Sequence, residues 1–510
     1  MKPKIIWKPL PGSQCLALTA PCNHILYEGT RGPGKTDCQL MRFRRHVGQG
    51  YGQFWRGIIL DKRYKSLDDL ISKSKRWFPQ FGDGARFLSS TSSLKWVWPS
   101  GEELLFRVME REDDYWNYHG MEFPFIGWNE LTKYPTLACY DSMLSTNRSS
   151  FIPEEHTPKD KDGVYKTPDR KPLPPIPLVV FSTTNPHGVG HNAVKRRFIN
   201  PGPAGKIIRK ETDVFNPQTK RQETIIKTQV RVFGSYRENR YLPPEYVADL
   251  ENIKDPNKRA AWLQGSWEIT AGGALDDLWR DSIHKTPRFS IPANWRLTRS
   301  FDWGSSHPFS VGFWAISNGE EVTLPDGTVR AFPRGSLIRI DEIYGSALVG
   351  DERYGHNQGQ KKAARKIARE IKEKVEVLQI LGWIKGDVDP GPADNQISNV
   401  NEDETLSIAA LMLQEGVAWT KSDKSKGTRK NGLELFRNAL ENARTGEGAG
   451  LYVMEHCEAF LETVPSIPRD EDDPDDVDTD SEDHVYDETR YMILDNKPVF
   501  AGSLKIAFAT

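Results

Sequence analysis

The stretch Tyr27–Asp37, YEGTRGPGKTD, decides how the first half of this 510-residue chain is read. It fits G-x-x-x-x-G-K-[ST] through Gly29, Gly34, Lys35 and Thr36, directly after the strand-like HILY. Such a loop needs glycines, here with Gly32 between them, because backbone N–H groups must converge on a phosphate without a Cβ in the way. In this pattern Lys35 reaches the β and γ oxygens of ATP, and the Thr36 hydroxyl ligates Mg2+. A helix opening at this point adds its N-terminal dipole. Arg31 either meets phosphate charge or is a solvated loop residue.

The length predicts two or three domains. Shares of 37% hydrophobic and 27% charged residues describe a globular chain rather than a disordered one. A net charge of -1 excludes a generally basic nucleic-acid coat but leaves room for a local basic channel. Five cysteines without a CxxC pair argue against a disulfide framework or structural zinc and suit a reducing cytosol. No run approaches the ~20 apolar residues of a membrane span.

Working outward, residues 1 to about 150 alternate short apolar runs with helical stretches, the rhythm of an α/β domain with a parallel sheet. FPFIGWNELT places Glu130 after an apolar strand. A glutamate there orients water against a γ-phosphate, which points to hydrolysis, although a solvated strand-end charge also explains it. Asn129 stands where an aspartate usually holds the metal's water shell, so weaker metal retention or help from another carboxylate is expected. VVFSTTNP offers Ser182, Thr183, Thr184 and Asn185 as sensors of the γ-phosphate, or as a plain strand-to-loop turn. Arg148 is a weak candidate for an arginine acting on a neighbouring subunit.

The pattern restarts after the glycine pair Gly272–Gly273. Strands are expected in RLTRSFDWGSSHPFSVGFWAI and GSLIRIDEIYG, followed by a helix with apolar spacing from Ala364 to Leu378. A further strand is expected to run into KGDVDPGPAD, placing Asp387 and Asp389 at its end. Asp302 lies among apolar residues, where a carboxylate is costly unless offset. DHVYDETRY adds Asp487 at a helix start, with His484 one turn before it. Carboxylates from separate strand and helix ends suit a two-metal nuclease with Mg2+ or Mn2+. Twelve of the twenty residues Arg469–Glu488 are acidic, so most of that run reads as solvated surface.

The ordered set of motifs resembles the large subunit of the DNA-packaging terminase of tailed phages. LPGSQ is similar to its adenine-side motif, giving Gln14; GTRGPGKT to its P-loop; FIGWNE to its acidic strand end, with Asn129 as the departure. FSTTNP is similar to its coupling motif, and GSYRENRYLPPEY…AAWLQGSW to the segment closing its ATPase domain. FDWG, DVDPG and DHVYDETRY resemble its three acidic nuclease stations. The resemblance implies a P-loop (ASCE-type) ATPase domain at 1–270, with a closing segment near 200–268, a linker at 271–292, and an RNase H-like α/β nuclease domain at 293–510. It implies an ATP-driven motor on double-stranded DNA, docked as a ring on a portal of the procapsid and served by a small subunit in the host cytoplasm. Asp302, Asp389 and Asp487 become the expected nuclease ligands, with Asp480 or Asp483 as alternatives to the third. The basic segments Lys195–Phe198, Gly205–Lys210 and Thr420–Gly432 fit a DNA track. Two other readings stay open: a helicase-like ATPase whose second half only binds nucleic acid, and a portal adaptor with a vestigial nucleotide pocket.

Overall fold

The computed structural model describes residues 5–90, 93–216, 220–267, 273–349, 352–353, 357–399, 406–425, 427–470, 473, 475–479 and 481–496. The chain divides into two compact units, Met1–Ala271 and Gly272–Thr510. Among the described residues no helix is long and apolar enough to cross a membrane.

The first unit is a mixed α/β structure on one nine-stranded sheet. Its strands are β1 (His24–Gly29), β2 (Arg56–Asp61), β3 (Arg86–Leu88), β4 (Lys95–Val97), β5 (Glu103–Val108), β6 (Phe125–Trp128), β7 (Val179–Thr183), β8 (Ile208–Asn216) and β9 (Arg221–Gly234). They lie in the order β3-β4-β5-β2-β6-β7-β1-β9-β8. The six from β5 to β9 in that order run parallel, and β3, β4 and β8 add antiparallel edges. Strands covered on both faces carry continuous apolar runs, and all six residues of β1 are buried. Each of Ile25, Leu26 and Tyr27 removed from water contributes about 1.5–3 kcal/mol. The buried Glu28 is tolerated because Arg231 Nη1 at 2.9 Å and Trp267 Nε1 at 3.0 Å donate to it. Helices α1 (Ser13–Thr19), α2 (Lys35–Arg44) and α3 (Tyr64–Trp77) belong to this unit. Strand β7 lies between β1 and β6, the order of the P-loop ATPases that carry an additional strand there.

The second unit holds a seven-stranded sheet. Its strands are β10 (Lys285–Thr286), β11 (Arg296–Asp302), β12 (Ser310–Ile316), β13 (Leu337–Tyr344), β14 (Pro392–Ala393), β15 (Thr420–Lys421) and β16 (Leu451–Met454), in the order β10-β16-β13-β12-β11-β14-β15. β11, β12 and β13 form an antiparallel meander, and β14 and β15 continue parallel to β11. Three antiparallel strands with two parallel strands added beside the first is the RNase H-like arrangement. Helices α4 (Ala364–Ile380), α5 (Thr428–Thr445) and α6 (His484–Asp495) complete it. Glu488 of α6 is fully buried and ties the helix to the sheet through Arg339 Nη1 at 2.6 Å and Trp314 Nε1 at 3.1 Å. Removing one partner of such a pair would strand the other charge, so it fixes how α6 sits.

Two expectations change here. Residues 273–292, read as part of a linker, are built into the second unit: β10 pairs with β16, and Ala274, Leu275, Trp279, Phe289 and Ile291 join its core. The strand expected before KGDVDPGPAD is absent; the apolar residues after α4 form a turn closed by Trp383 N–H on Leu378 O at 2.9 Å. The strand instead is the two residues Pro392–Ala393, so the acid at its end is Asp394.

Candidate functional sites

In the first unit, β1, β7, β6 and β2 all end at the same edge of the sheet, where open α/β sheets bind ligands. The loop after β1 bends through Gly29, Gly32 and Gly34 at φ 116°, 96° and 87°, left-handed conformations that favour glycine. At Gly29 a Cβ would stand 2.3 Å from Gly234 O, so the close approach to β9 also demands it. Gly34 caps α2, and Lys35 and Thr36 form its first turn. Gln14 is buried with both amide ends spent on main chain: Oε1 accepts from Leu10 N–H at 2.6 Å and Nε2 donates to Gly34 O at 3.0 Å. It braces the cradle. Arg31 is exposed and stacks on Trp262, its guanidinium carbon 3.4 Å from the ring centroid.

The Lys35 ammonium is buried and donates to Thr30 O and to Asn185 Oδ1, each at 2.7 Å. Burial pulls it down to about 8, with Glu130 and Glu28 acting the other way. Asn185 Nδ2 in turn donates to Glu130 Oε2 at 3.2 Å, so Lys35, Asn185 and Glu130 form one chain of contacts. Glu130 sits at φ 55°, a left-handed backbone costing about 1–2 kcal/mol for a non-glycine residue. Its N–H donates to Thr183 Oγ1 at 3.2 Å. Strain of this kind, held by surrounding contacts, is characteristic of functional positions. Asn129 Nδ2 donates to the fully buried Asp61 at 2.7 Å. Thr36 and the Asn129 amide bring oxygen donors to this edge, a set that fits a hard divalent cation. Arg148 lies at the other end of β6, where it donates to Gly120 O at 3.0 Å and faces Glu122 at 3.9 Å.

In the second unit, Phe301 pairs in parallel with Ala393, so Asp302 and Asp394 leave adjacent strands at one level. Asp302 Oδ2 faces His484 Nδ1 at 3.1 Å, and its Oδ1 accepts from Tyr491 O–H at 3.3 Å. His484 Nε2 faces Asn357 Oδ1 at 3.0 Å, so both ring nitrogens meet acceptors. Burial opposes charge on His484, but Asp302 and Asp483 outweigh it and hold the imidazole above its ordinary value. Asp394 accepts from the Lys424 ammonium, and Asp487 accepts from Arg490 Nε at 3.1 Å and Nη2 at 3.0 Å. Burial pushes Asp302 up to about 6; the His484 contact opposes this, and Asp487 and Asp394 add to it. Burial, then the charge of Asp487, pushes Asp483 up to about 8. Carboxylates crowded this way call for a cation, and their all-oxygen donor set suits Mg2+ or Mn2+. Among the described residues no three His, Cys, Asp or Glu side chains already stand in coordinating positions. The acids are instead turned toward cations and hydroxyls of the chain itself.

Asp389 does not belong to this group. Its N–H donates to Leu297 O at 3.0 Å, and its exposed carboxylate pairs with Arg296 Nε at 3.1 Å. It bridges to Thr298, four residues before Asp302 and so roughly 13 Å back along β11. The acid level with Asp302 is Asp394. Asp387 is exposed, and Asp480 lies outside the described residues. Of the basic segments, Lys206, Arg209 and Lys210 are exposed, whereas Arg429 and Lys430 pair with Asp476 and Asp473 of the acidic run at 2.8 Å each.

No family model matches the chain, and no curated protein does. Among solved structures, the large terminase from a thermophilic bacteriophage is 14% identical over 95% of this chain and 98% of its own, with a TM-score of 0.37. The HK97 bacteriophage large terminase is 10% identical over 96% of this chain and 93% of its own, with a TM-score of 0.38. The P22 large terminase nuclease domain is 14% identical over 44% of this chain and 92% of its own, with a TM-score of 0.30.

Proposed function

We propose that the chain is the large subunit of a viral DNA-packaging terminase: an ATPase that drives double-stranded DNA into a procapsid and a metal-dependent endonuclease that cuts it. The observation that carries the reading is the level placement of Asp302 and Asp394 on adjacent parallel strands, beside an acidic helix start, in a chain that also holds the P-loop. In the first unit, the cradle amides and Lys35 bind the phosphates, and Glu130 orients the attacking water. Asn185, shared between Lys35 and Glu130, passes loss of the γ-phosphate to the strand end. Thr36 and Asn129 would hold Mg2+, which would supply positive charge against the phosphates.

In the second unit, Asp302, Asp394 and Asp487, with Asp483 beside them, would hold the metals, whose positive charge would serve to activate water and stabilise the leaving oxygen of the phosphodiester. His484 fixes the Asp302 carboxylate, and Lys424 and Arg490 balance the acids in the free chain. Portal, small subunit and a ring of copies are the partners this function calls for.

The purified chain should hydrolyse ATP faster with double-stranded DNA present and nick plasmid DNA in Mn2+, both abolished by EDTA. ATP turnover with forked-duplex unwinding but no Mn2+-dependent nicking would favour a helicase-like protein. Failure to bind ATP would favour a vestigial adaptor.

A further inference from the structure

We infer that Asp61 is a positioning residue of the nucleotide site, supplying from the neighbouring strand the acid that β6 lacks. The inference rests on the P-loop reading above. Leu60 stands opposite Trp128 in the parallel β2–β6 pair, so Asp61 and Asn129 leave the sheet side by side at the cradle edge. Asp61 is fully buried, and its charge is met by Lys133 Nζ at 3.0 and 2.9 Å, Asn129 Nδ2 at 2.7 Å and Arg63 N–H at 3.3 Å. A carboxylate only accepts, so the nitrogen end of the Asn129 amide must be the one facing it. Oδ1 is thus the end of the amide that Asp61 leaves unengaged. Asn129 therefore offers the nucleotide edge a carbonyl oxygen polarised by a charge-assisted hydrogen bond.

The same geometry accounts for the neutral residue at 129. An aspartate there would bring a second carboxylate within hydrogen-bond distance of Asp61, with the single ammonium of Lys133 to share. Asp61 and Asn129 thus act as one acid–amide pair.

The test titrates binding of a fluorescent ATP analogue against Mg2+ concentration, alongside thermal unfolding of the nucleotide-free chain, for wild type, D61N, N129D and the exchange variant D61N/N129D. D61N should raise the Mg2+ needed for half-maximal binding by about tenfold or more, the usual effect of losing a partner that orients a metal-site group. N129D should lower the unfolding midpoint, the nucleotide-free signature of two adjacent carboxylates. The exchange variant restores one acid and one amide, so it should regain the wild-type midpoint and a Mg2+ requirement at or below wild type. A wild-type Mg2+ requirement in D61N overturns the inference, as does an exchange variant no better than N129D in midpoint. The exchange variant decides the matter even where D61N does not fold. A wild-type chain that binds no analogue at any Mg2+ concentration overturns the P-loop reading itself, and this inference with it.

Discussion

Asp302→Asn and Asp394→Asn should each abolish Mn2+-dependent DNA cleavage, while Asp389→Asn should cut at the parental rate. The first two carboxylates stand level on adjacent parallel strands beside α6, and the third is salt-bridged to Arg296 further back along the strand. Replacing a carboxylate that would hold the metal by its amide removes the anionic donor that would keep the cation in place, and with it the positive charge that would stabilise the leaving oxygen. A loss of about 10³-fold or more is expected, about 4 kcal/mol of barrier. Gel-based nicking of supercoiled plasmid over a time course checks it, with ATP turnover measured on the same preparations and expected unchanged. If Asp389→Asn were the inactive variant, the second ligand would be misassigned.

Lys35→Ala removes the ammonium that joins Thr30 O and Asn185 to the cradle, and with it phosphate binding. ATP turnover should fall by about 10³-fold while plasmid nicking persists, because the acids lie in the other unit. The wild-type chain carries a pH signature of the same residue. Burial pulls Lys35 down to about 8, and phosphate binds its charged form. Binding thus favours protonation, so ATP affinity is full below that value and falls as pH rises through it. Titration of ATP binding from about pH 7 to about pH 9 checks this, and a flat profile in the wild type would show that Lys35 does not face the phosphates.

The cradle was legible because its chemistry is local: glycines at left-handed turns, then lysine and threonine at a helix start, all within a few residues. The fold class was legible for a related reason, since buried parallel strands write continuous apolar runs into the chain. The acid at the end of β14 was not. That strand is two residues long, contains a proline and takes its position from pairing with Phe301 rather than from any period of its own. The more apolar turn after α4 looked more like a strand, which moved the expected ligand from Asp394 to Asp389. Asn129 was visible as a departure, but its partner Asp61 lies 68 residues earlier and is brought alongside only by the sheet order. The stretch 273–292 misled because a glycine pair suggests a linker, whereas Trp279, Phe289 and Ile291 bury themselves in the second core.

The metal site of the second unit is tested most directly by anomalous scattering from crystals of the full chain soaked in Mn2+. A manganese signal is expected between the carboxylates of Asp302 and Asp394 and an acid of α6 or its cap. A signal confined to Asp389, Asp473 and Asp475, with none at Asp302, would contradict that placement.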